Sequence, residues 1–158
     1  MRCEWPWLFS GEGRLRSGPF PAVSHLACTD GPVLLSYADV VVSAAVRGGE
    51  IITVAGLSNV FTFPPYRREG LASKIVRSAN SLLDEHEQEH RAGMAILFCE
   101  NDLVRFYSAL DWSVAPPGTV AVDGGNHPPL AMVRRGSMAG PAVVADLQQR
   151  PVIVAAAW

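Results

Sequence analysis

The junction between a strand-like run and a helical stretch places the strongest constraint on the fold of this chain. The run Leu57–Phe63 is rich in apolar residues and is stopped by Pro64-Pro65, because proline supplies no N–H group to a β-ladder. From Gly70 to about Glu89, apolar residues recur with the period of a helix and predict one buried face. We therefore expect a helix that packs on a sheet.

The loop at this junction has the features of an anion site. It reads Tyr66-Arg67-Arg68-Glu69-Gly70-Leu71-Ala72 and leads into a helix near Ser73. A glycine in the first turn lets the backbone approach a ligand, and the free N–H groups of a helix start point outward. Two arginines at this end oppose the helix dipole unless an anion joins them. The loop therefore predicts phosphate binding, and two solvated arginines are the alternative.

The other apolar runs predict a meander followed by a central strand. We expect strands at Val23–Cys28, Val33–Arg47, Glu50–Val54 and Leu57–Phe63, joined by the tight turns of an antiparallel meander. The continuous apolar run Met94–Cys99 is typical of a strand that is covered on both faces. After one crossover helix, this strand should lie parallel to Leu57–Phe63.

A short helix and a hairpin are expected next. Asp102 is placed to cap a helix at Leu103–Leu110. Two further strands, near Ser113–Val122 and Leu130–Arg134, are joined by Asp123-Gly124-Gly125-Asn126, which is a hairpin signal. These elements would extend the sheet beyond the central strand.

The length of 158 residues fits a single domain, 1–158. Residues 1–22 show no sustained period and predict an irregular N-terminal segment. Residues 137–158 predict a C-terminal tail that ends in the apolar run Val152–Trp158. This run would cover either the protein's own sheet or a partner subunit, so a homodimer is one expectation.

Composition excludes several classes of partner. With 49% hydrophobic residues, 18% charged residues and a net charge of −2, the chain is expected to be globular and to bind no nucleic acid. Its apolar runs are too short to cross a bilayer, and its N-terminus lacks the apolar core of a signal peptide, so we expect a cytoplasmic protein that binds no membrane. Cysteines and histidines show no metal-ligand spacing, and no metal is expected.

Two motifs resemble those of one enzyme superfamily. The spacing Arg67-x-x-Gly70-x-Ala72 is similar to the acyl-CoA pyrophosphate loop of the GNAT superfamily of N-acyltransferases. About 35 residues further on, Phe106-Tyr107 precedes Asp111-Trp112, which resembles the second signature of that superfamily, with Asp111 in place of the usual glycine. Arg68 likewise takes the place of a common glycine. The resemblance covers about residues 33 to 135.

The resemblance implies an α/β (α+β) fold and an activity. The fold is a mixed, mostly antiparallel sheet with a central parallel strand pair that splays apart, flanked by helices, and here with a shortened N-terminal helical region. The activity is transfer of acetyl from acetyl-CoA to a primary amine of a small molecule, by direct attack in a ternary complex. Because the start is shortened, the alternative is a GNAT-like module that binds CoA and is catalytically weak or inactive.

The resemblance also implies roles for particular residues. Pantetheine would bond to the backbone of the strand beside the splay, pyrophosphate would meet the loop amides and arginines, and an N–H of Phe61 or Thr62 would hold the thioester oxygen. Tyr107 corresponds to the general acid that protonates the CoA sulfur. The implied cofactor-binding residues are Val60, Phe61, Thr62, Arg67, Arg68, Glu69, Gly70, Leu71, Ala72, Ser73 and Asn101.

The general base and the acceptor stay open. Where many superfamily members carry a glutamate, this chain has Gly56, Leu57, Ser58 or Asn59. A water held by Ser58, a route through bulk water, an already neutral amine, or a side chain from a neighbouring loop would serve instead. The candidates for such a side chain are Glu100, Asp102, His25 and His127. A bacterial subgroup resembling aminoglycoside 2′-N-acetyltransferases is indicated by Leu-Phe-Cys before the second signature. The carboxylates that would bind such an acceptor are Asp39, Asp102, Asp123 and Asp146.

Overall fold

One mixed sheet of eight strands forms the centre of the protein. The computed structural model describes residues 22–90, 94–123, 130–134 and 147–154. The strands are β1 (Ala22–Asp30), β2 (Val33–Arg47), β3 (Glu50–Thr62), β4 (Ala95–Phe98), β5 (Trp112–Val114), β6 (Val120–Val122), β7 (Ala131–Arg134) and β8 (Val152–Val154). The helices are α1 (Leu71–His90) and α2 (Val104–Ser108), and 3₁₀ turns lie at Pro64–Tyr66 and Asn101–Leu103. The strand order is β5-β7-β4-β3-β2-β8-β6, and β1 also pairs with β2.

The first three strands form the predicted antiparallel meander, but with one strand fewer than expected. The sequence predicted separate strands at Glu50–Val54 and Leu57–Phe63, and the structure has a single strand, β3. Ala55 and Gly56 lie opposite Val42 and Val41 in the ladder with β2, so pairing continues through the expected break. Pairing with the long strand β2 therefore keeps Ala55 and Gly56 in the extended conformation.

A bulge interrupts this ladder near the end of β3. Asp39 pairs with Ser58 and Tyr37 pairs with Phe61, so two residues of β3 lie opposite Ala38 alone. One of the two, Asn59, has a positive φ of 52°. An extra residue of this kind bends its strand and increases the local twist.

Strands β3 and β4 are parallel and then separate. Ala55–Leu57 pairs with Ala95–Leu97, and the ladder has no further pair among the described residues. Beyond it each strand bonds away from the other: the Cys99 N–H donates to Leu130, and the Phe63 N–H donates to Leu35. The predicted fold class, with a central parallel pair that splays apart in a mostly antiparallel sheet, is confirmed.

The sheet is covered by an apolar layer on each face. Helix α1 packs Ile75, Val76, Ala79 and Leu83 on one face, against a cluster that includes Leu57 of β3. On the other face, a second cluster joins strand residues to the C-terminal part of the chain; its buried members include Val54, Ile96, Leu147, Val152 and Val154. Alternate residues of β2 and β3 therefore point to different cores.

The pairing of the last strands differs from the prediction. Strand β5 pairs with β7, but β6 pairs in parallel with β8 at the opposite end of the sheet, so the expected hairpin of the two predicted strands is wrong. Residues 124–129, which include most of the expected turn, lie outside the described part. Within the predicted tail, Val152 and Val154 are fully buried in the protein's own sheet. The short strands β6 and β8, which are far apart in sequence, therefore pair where a local hairpin was expected.

Two smaller predictions have different outcomes. The cap by Asp102 is wrong: Asn101–Leu103 is a 3₁₀ turn, Leu103 is the N-cap of α2, and no side chain caps it. The predicted irregular segment 1–22 lies outside the described residues except for Ala22, which begins β1.

Candidate functional site

The loop between β3 and α1 is built from two left-handed residues. Arg68 has a φ of 69° and Gly70 a φ of 78°. Such angles are strained for a residue with a side chain and unstrained for glycine. A Cβ atom on Gly70 would meet nothing within 4 Å, so conformation rather than space calls for glycine there. Arg68 adopts a conformation that explains why glycine is common at its position in the resembled motif.

This loop presents a row of backbone donors. The first N–H group of α1 with a helical acceptor belongs to Lys74, which donates to the Gly70 carbonyl at 3.0 Å. The N–H groups of residues 68 to 73 have no acceptor in the parts of the chain that the structure describes. No acidic residue lies in the first turn of α1. The helix start is therefore open to an anionic ligand.

The two arginines of the loop have different surroundings. The Nε of Arg67 donates to the Thr62 carbonyl at 3.0 Å, and its guanidinium carbon lies 5.8 Å from the centre of the Phe61 ring. Arg67 thus ties the loop to the end of β3. Arg68 is exposed and borders the same cavity. Both side chains place positive charge beside the loop amides.

A cavity of about 390 Å³ brings most of the predicted site residues together. Its walls come from the end of β3, the loop, the first turn of α1 and the helix α2. The predicted residues that line it are Val60, Phe61, Thr62, Arg67, Arg68, Gly70, Leu71, Ala72, Ser73 and Tyr107. Glu69 and Asn101 are exposed and are not among the lining residues, so their cofactor contacts stay predictions.

Three lining residues were missing from the predicted set. They are Tyr66, Leu103 and Phe106. Phe106 and Tyr107 both border the cavity, with ring centres 4.9 Å apart and the rings edge to face. Tyr66 immediately precedes the loop, and that proximity was the only sequence signal for it.

Tyr107 lies buried between the cavity and the core, with 7% of its surface exposed. Burial, and secondarily the neighbouring Cys99, raise the pKa of the Tyr107 phenol to about 12. The phenol is therefore protonated over the whole physiological range and can donate a hydrogen bond or a proton. Burial also raises the pKa of the Cys99 thiol, with smaller contributions from Glu100 and Asp102. Cys99 is thus held in the neutral form, which is a poor nucleophile.

A buried asparagine fixes the helix that carries Tyr107. The Asn80 side-chain amide donates to the Leu110 carbonyl at 2.9 Å and accepts from the Trp112 indole N–H at 3.1 Å. It therefore connects α1 to the segment that follows α2. Asn80 was not predicted from the sequence, because a polar residue on a helix carries no local sign of its distant partners.

The candidates for a general base are dispersed. Ser58 is buried in the sheet, Glu100 and Asp102 are exposed and do not line the cavity, and His127 lies outside the described residues. His25 of β1 contacts Asp39 of β2, with 2.6 Å between Nδ1 and Oδ1.

The aspartates expected to bind an aminoglycoside do not converge on the cavity. Asp39, Asp102 and Asp123 are all absent from its lining, and Asp123 follows β6 at the far end of the sheet. Asp146 lies outside the described residues. Within the described chain, no group of three or more possible ligands could hold a metal ion, and no described helix has the length and apolarity needed to span a membrane.

Solved structures with the same fold include known acetyltransferases. The GNAT family N-acetyltransferase YhbS from Escherichia coli, in complex with CoA, has 19% identity and a TM-score of 0.57 over 82% of this chain and 66% of its own. A mutant of the toxin AtaT, bound to the C-terminus of the antitoxin AtaR and acetyl-CoA, has 12% identity and a TM-score of 0.56 over 90% of this chain and 81% of its own. The KacTA–DNA complex has 12% identity and a TM-score of 0.58, with 90% and 80% covered.

These comparisons establish the fold as that of GNAT N-acetyltransferases. No protein-family profile matches the chain, and no curated protein matches it significantly in sequence. The chain spans about a fifth of another matched structure, a GCN5-related N-acetyltransferase from Kribbella flavida, of which 22% is covered. None of the matched structures described here is an aminoglycoside 2′-N-acetyltransferase.

Proposed function

We propose that this protein is an acyl-CoA-dependent N-acyltransferase that moves acetyl from acetyl-CoA to a primary amine of a small molecule. The observation that carries the proposal is a single cavity that joins three features: the open amides of the β3–α1 loop, the separated edge of β3, and the phenol of Tyr107. Each feature suits a different part of an acyl-CoA molecule. Together they would bind acetyl-CoA along its length, from the diphosphate to the thioester.

The diphosphate would bind at the loop. Open N–H groups at a helix start, left-handed residues on both sides of Glu69, and two adjacent guanidinium groups all favour an anion there. Each charge-assisted hydrogen bond of this kind contributes about 1.5–3 kcal/mol. A bound diphosphate would also offset the electrostatic repulsion between the two arginines and the positive end of the helix dipole.

The pantetheine arm would lie along β3 in the space where β4 has turned away. Val60 and Thr62 line the cavity past the last pair of the β3–β4 ladder. An extended ligand that bonds to such an edge behaves like an added strand. The Thr62 carbonyl already accepts a bond from Arg67, but a carbonyl oxygen has two lone pairs and can accept another.

The thioester would then reach Tyr107. Attack of a neutral amine on the thioester carbon forms the C–N bond, and collapse of the tetrahedral intermediate breaks the C–S bond. The Tyr107 O–H group would donate its proton to the departing thiolate, and a backbone N–H of Phe61 or Thr62 would stabilise the oxyanion. A protonated phenol is required for this role, and burial keeps it protonated.

Cofactor binding is tested by calorimetry with acetyl-CoA. Arg68→Ala removes one charged contact, so we expect a 10- to 150-fold loss of affinity, which corresponds to about 1.5–3 kcal/mol. Arg77→Ala is the matched control, because Arg77 is exposed on the same helix and does not line the cavity. Equal affinities for wild type and Arg68→Ala would remove the role of this arginine, and no binding by wild type would remove the proposed function.

Catalysis is tested by thiol release with a panel of amines, namely spermidine, lysine, kanamycin and diglycine. Tyr107→Phe should retain acetyl-CoA affinity and lower turnover by about 10²- to 10⁴-fold. Tyr66→Phe, in the wall of the same cavity, is the control and should keep turnover. Acetyl-CoA binding without turnover of any amine would favour the alternative, a module that binds the cofactor and does not catalyse. Turnover of kanamycin alone would support the aminoglycoside subgroup.

A further inference from the structure

We propose that His25, oriented by Asp39, is the proton acceptor for the amine in the reaction proposed above. This inference rests on that proposed function and supplies its missing base. It starts from a cluster of four polar side chains on three adjacent strands: His25 of β1, Tyr37 and Asp39 of β2, and Asn59 in the bulge of β3.

Asp39 is the centre of this cluster. Its side chain is only 8% exposed, whereas that of His25 is 61% exposed. The Tyr37 hydroxyl donates to Asp39 Oδ1 at 2.5 Å, and the Asn59 amide donates to Oδ2 at 2.7 Å. A buried carboxylate costs free energy unless its oxygens accept hydrogen bonds, and each oxygen of Asp39 accepts at least one. The Asp39 carboxylate is therefore held in a fixed orientation by its neighbours.

The same carboxylate sets the tautomer of His25. Nδ1 of His25 lies 2.6 Å from Asp39 Oδ1 and 2.7 Å from the Tyr37 hydroxyl oxygen. An ionised carboxylate only accepts hydrogen bonds, so Nδ1 must carry the proton that joins them. The neutral ring then has its lone pair on Nε2, as in other pairs in which a carboxylate orients a histidine. Because His25 is exposed, Nε2 is open to a ligand from solution.

The cluster lies beside the cavity, on the face of the sheet opposite α1. Ala38 and Val40 point into the core under α1, so Tyr37 and Asp39 point to the other face. Tyr37 lies directly opposite Phe61, which lines the cavity. Directly paired residues of an antiparallel ladder project from the same face. Phe61 therefore connects the wall of the cavity to the cluster.

The distance suits a proton acceptor that works through bridging water. His25 is two strands from β3, and a strand spacing of about 4.8 Å puts its backbone about 10 Å from that strand. An imidazole side chain and one bridging water cover such a span. An amine that enters from this face would thus meet His25 on its way to the thioester.

An ammonium group gives one proton to Nε2 of His25, which becomes imidazolium, and the neutral amine then attacks the thioester carbon. The second proton leaves the nitrogen as the amide forms, and one proton from Tyr107 goes to the CoA sulfur. The second proton restores the Tyr107 phenol through solvent, and His25 releases the first. The sum is amide, free thiol and one proton.

Few titratable groups face His25 in the described chain. From β2 they are Asp39 and Tyr37, and the bulge of β3 adds only the neutral Asn59. From α1, His86 contacts Ser24 at 3.4 Å, but Ser24 projects from the opposite face of β1. His86 is therefore a matched control: a histidine at the same strand that does not face the cavity.

The test compares kcat/KM against pH for wild type, His25→Gln and His86→Gln, with the amine of the panel that wild type acetylates fastest. His25→Gln should lower kcat/KM about 10²- to 10⁴-fold at pH 7 and should lose the acidic limb of the wild-type pH profile. The deficit should shrink towards pH 10, because the amine becomes neutral without help. His86→Gln should behave as wild type. Asp39→Asn should cost about 10- to 100-fold and keep the limb, as a positioning residue would.

Two measurements separate failure of this inference from failure of the transferase proposal. Acetyl-CoA affinity of His25→Gln should stay within about twofold of wild type, since His25 does not line the cavity. If wild type acetylates an amine and His25→Gln keeps its rate and pH profile, only the role of His25 is overturned. If wild type acetylates no amine of the panel, both proposals fall. Nitrogen NMR that finds the proton of neutral His25 on Nε2 instead of Nδ1 would also overturn the role.

Discussion

Replacement of Asn80 by alanine tests how the helix that carries Tyr107 is held in place. Asn80 is 7% exposed and bonds to Leu110 and Trp112, which are 3% and 2% exposed. The variant leaves a buried carbonyl and a buried indole N–H without partners, at about 1–3 kcal/mol each. Alanine offsets roughly 0.6 kcal/mol of this cost through its better helix propensity. We therefore expect a loss of about 1.5–5 kcal/mol in the free energy of unfolding.

Urea denaturation measures this loss as a lower midpoint with an unchanged slope. For a chain of this size, each kcal/mol lowers Tm by about 2–4 °C, so thermal unfolding should shift by roughly 3–20 °C. Ser81→Ala is the control on the same helix, because its hydroxyl is exposed and donates within α1 to the Arg77 carbonyl; it should change stability by less than about 0.5 kcal/mol.

A double-mutant cycle with Trp112→Phe isolates the amide–indole bond. Trp112→Phe removes the donor that Asn80 accepts, so part of the cost of Asn80→Ala should disappear in that background. A loss below 0.5 kcal/mol for Asn80→Ala, or strict additivity of the two variants, would refute the reasoning. Retained stability would mean that packing alone holds α2 against α1.

Three further outcomes are expected. Asp111 has a φ of 70°, so Asp111→Gly should raise stability by about 0.5–1 kcal/mol in urea denaturation. Asp84→Ala leaves the largely buried Arg134 guanidinium without its two bonds of 2.6 and 2.9 Å and should lower stability by about 1–3 kcal/mol by the same assay. The folded-state pKa of Tyr107 lies above its unfolded value, so stability should fall by about 2–3 kcal/mol at most from pH 10 to 12; Tyr107→Phe should remove this contribution.

Local patterns in the sequence were sufficient for the part of the fold that surrounds the cavity. The stop at Pro64-Pro65 and the period of the following helix depend on residues close in the chain, and α1 begins within one residue of its predicted start at Gly70. The parallel relation of β3 and β4 followed from one crossover helix between them. The lining residues of the loop and of β3 were implied by the resemblance of the Arg67-x-x-Gly70-x-Ala72 spacing to a superfamily motif, not by the local pattern.

Pairing between distant segments was not predictable in this way. The hairpin signal at Asp123-Gly124 is local, yet Val120–Val122 pairs with Val152–Val154, about 30 residues away. Three-residue strands carry too little pattern to specify a partner, and tertiary contacts override turn propensity. Asn80 shows the same limit, since its partners follow it by 30 and 32 residues.

Asn59 links the two halves of the candidate site through one structural irregularity. As an extra residue in β3, it bends the strand just beyond Leu57, where the ladder with β4 ends and the cavity begins. Its left-handed backbone accompanies a side chain that donates to Asp39, so the residue in the bulge of β3 also completes the cluster at His25. The cavity on one side of β3 and the oriented histidine on the other are therefore not independent. A change that straightened the bulge would affect both, which is why His25 and Asp39 are better places than Asn59 to test the proton acceptor.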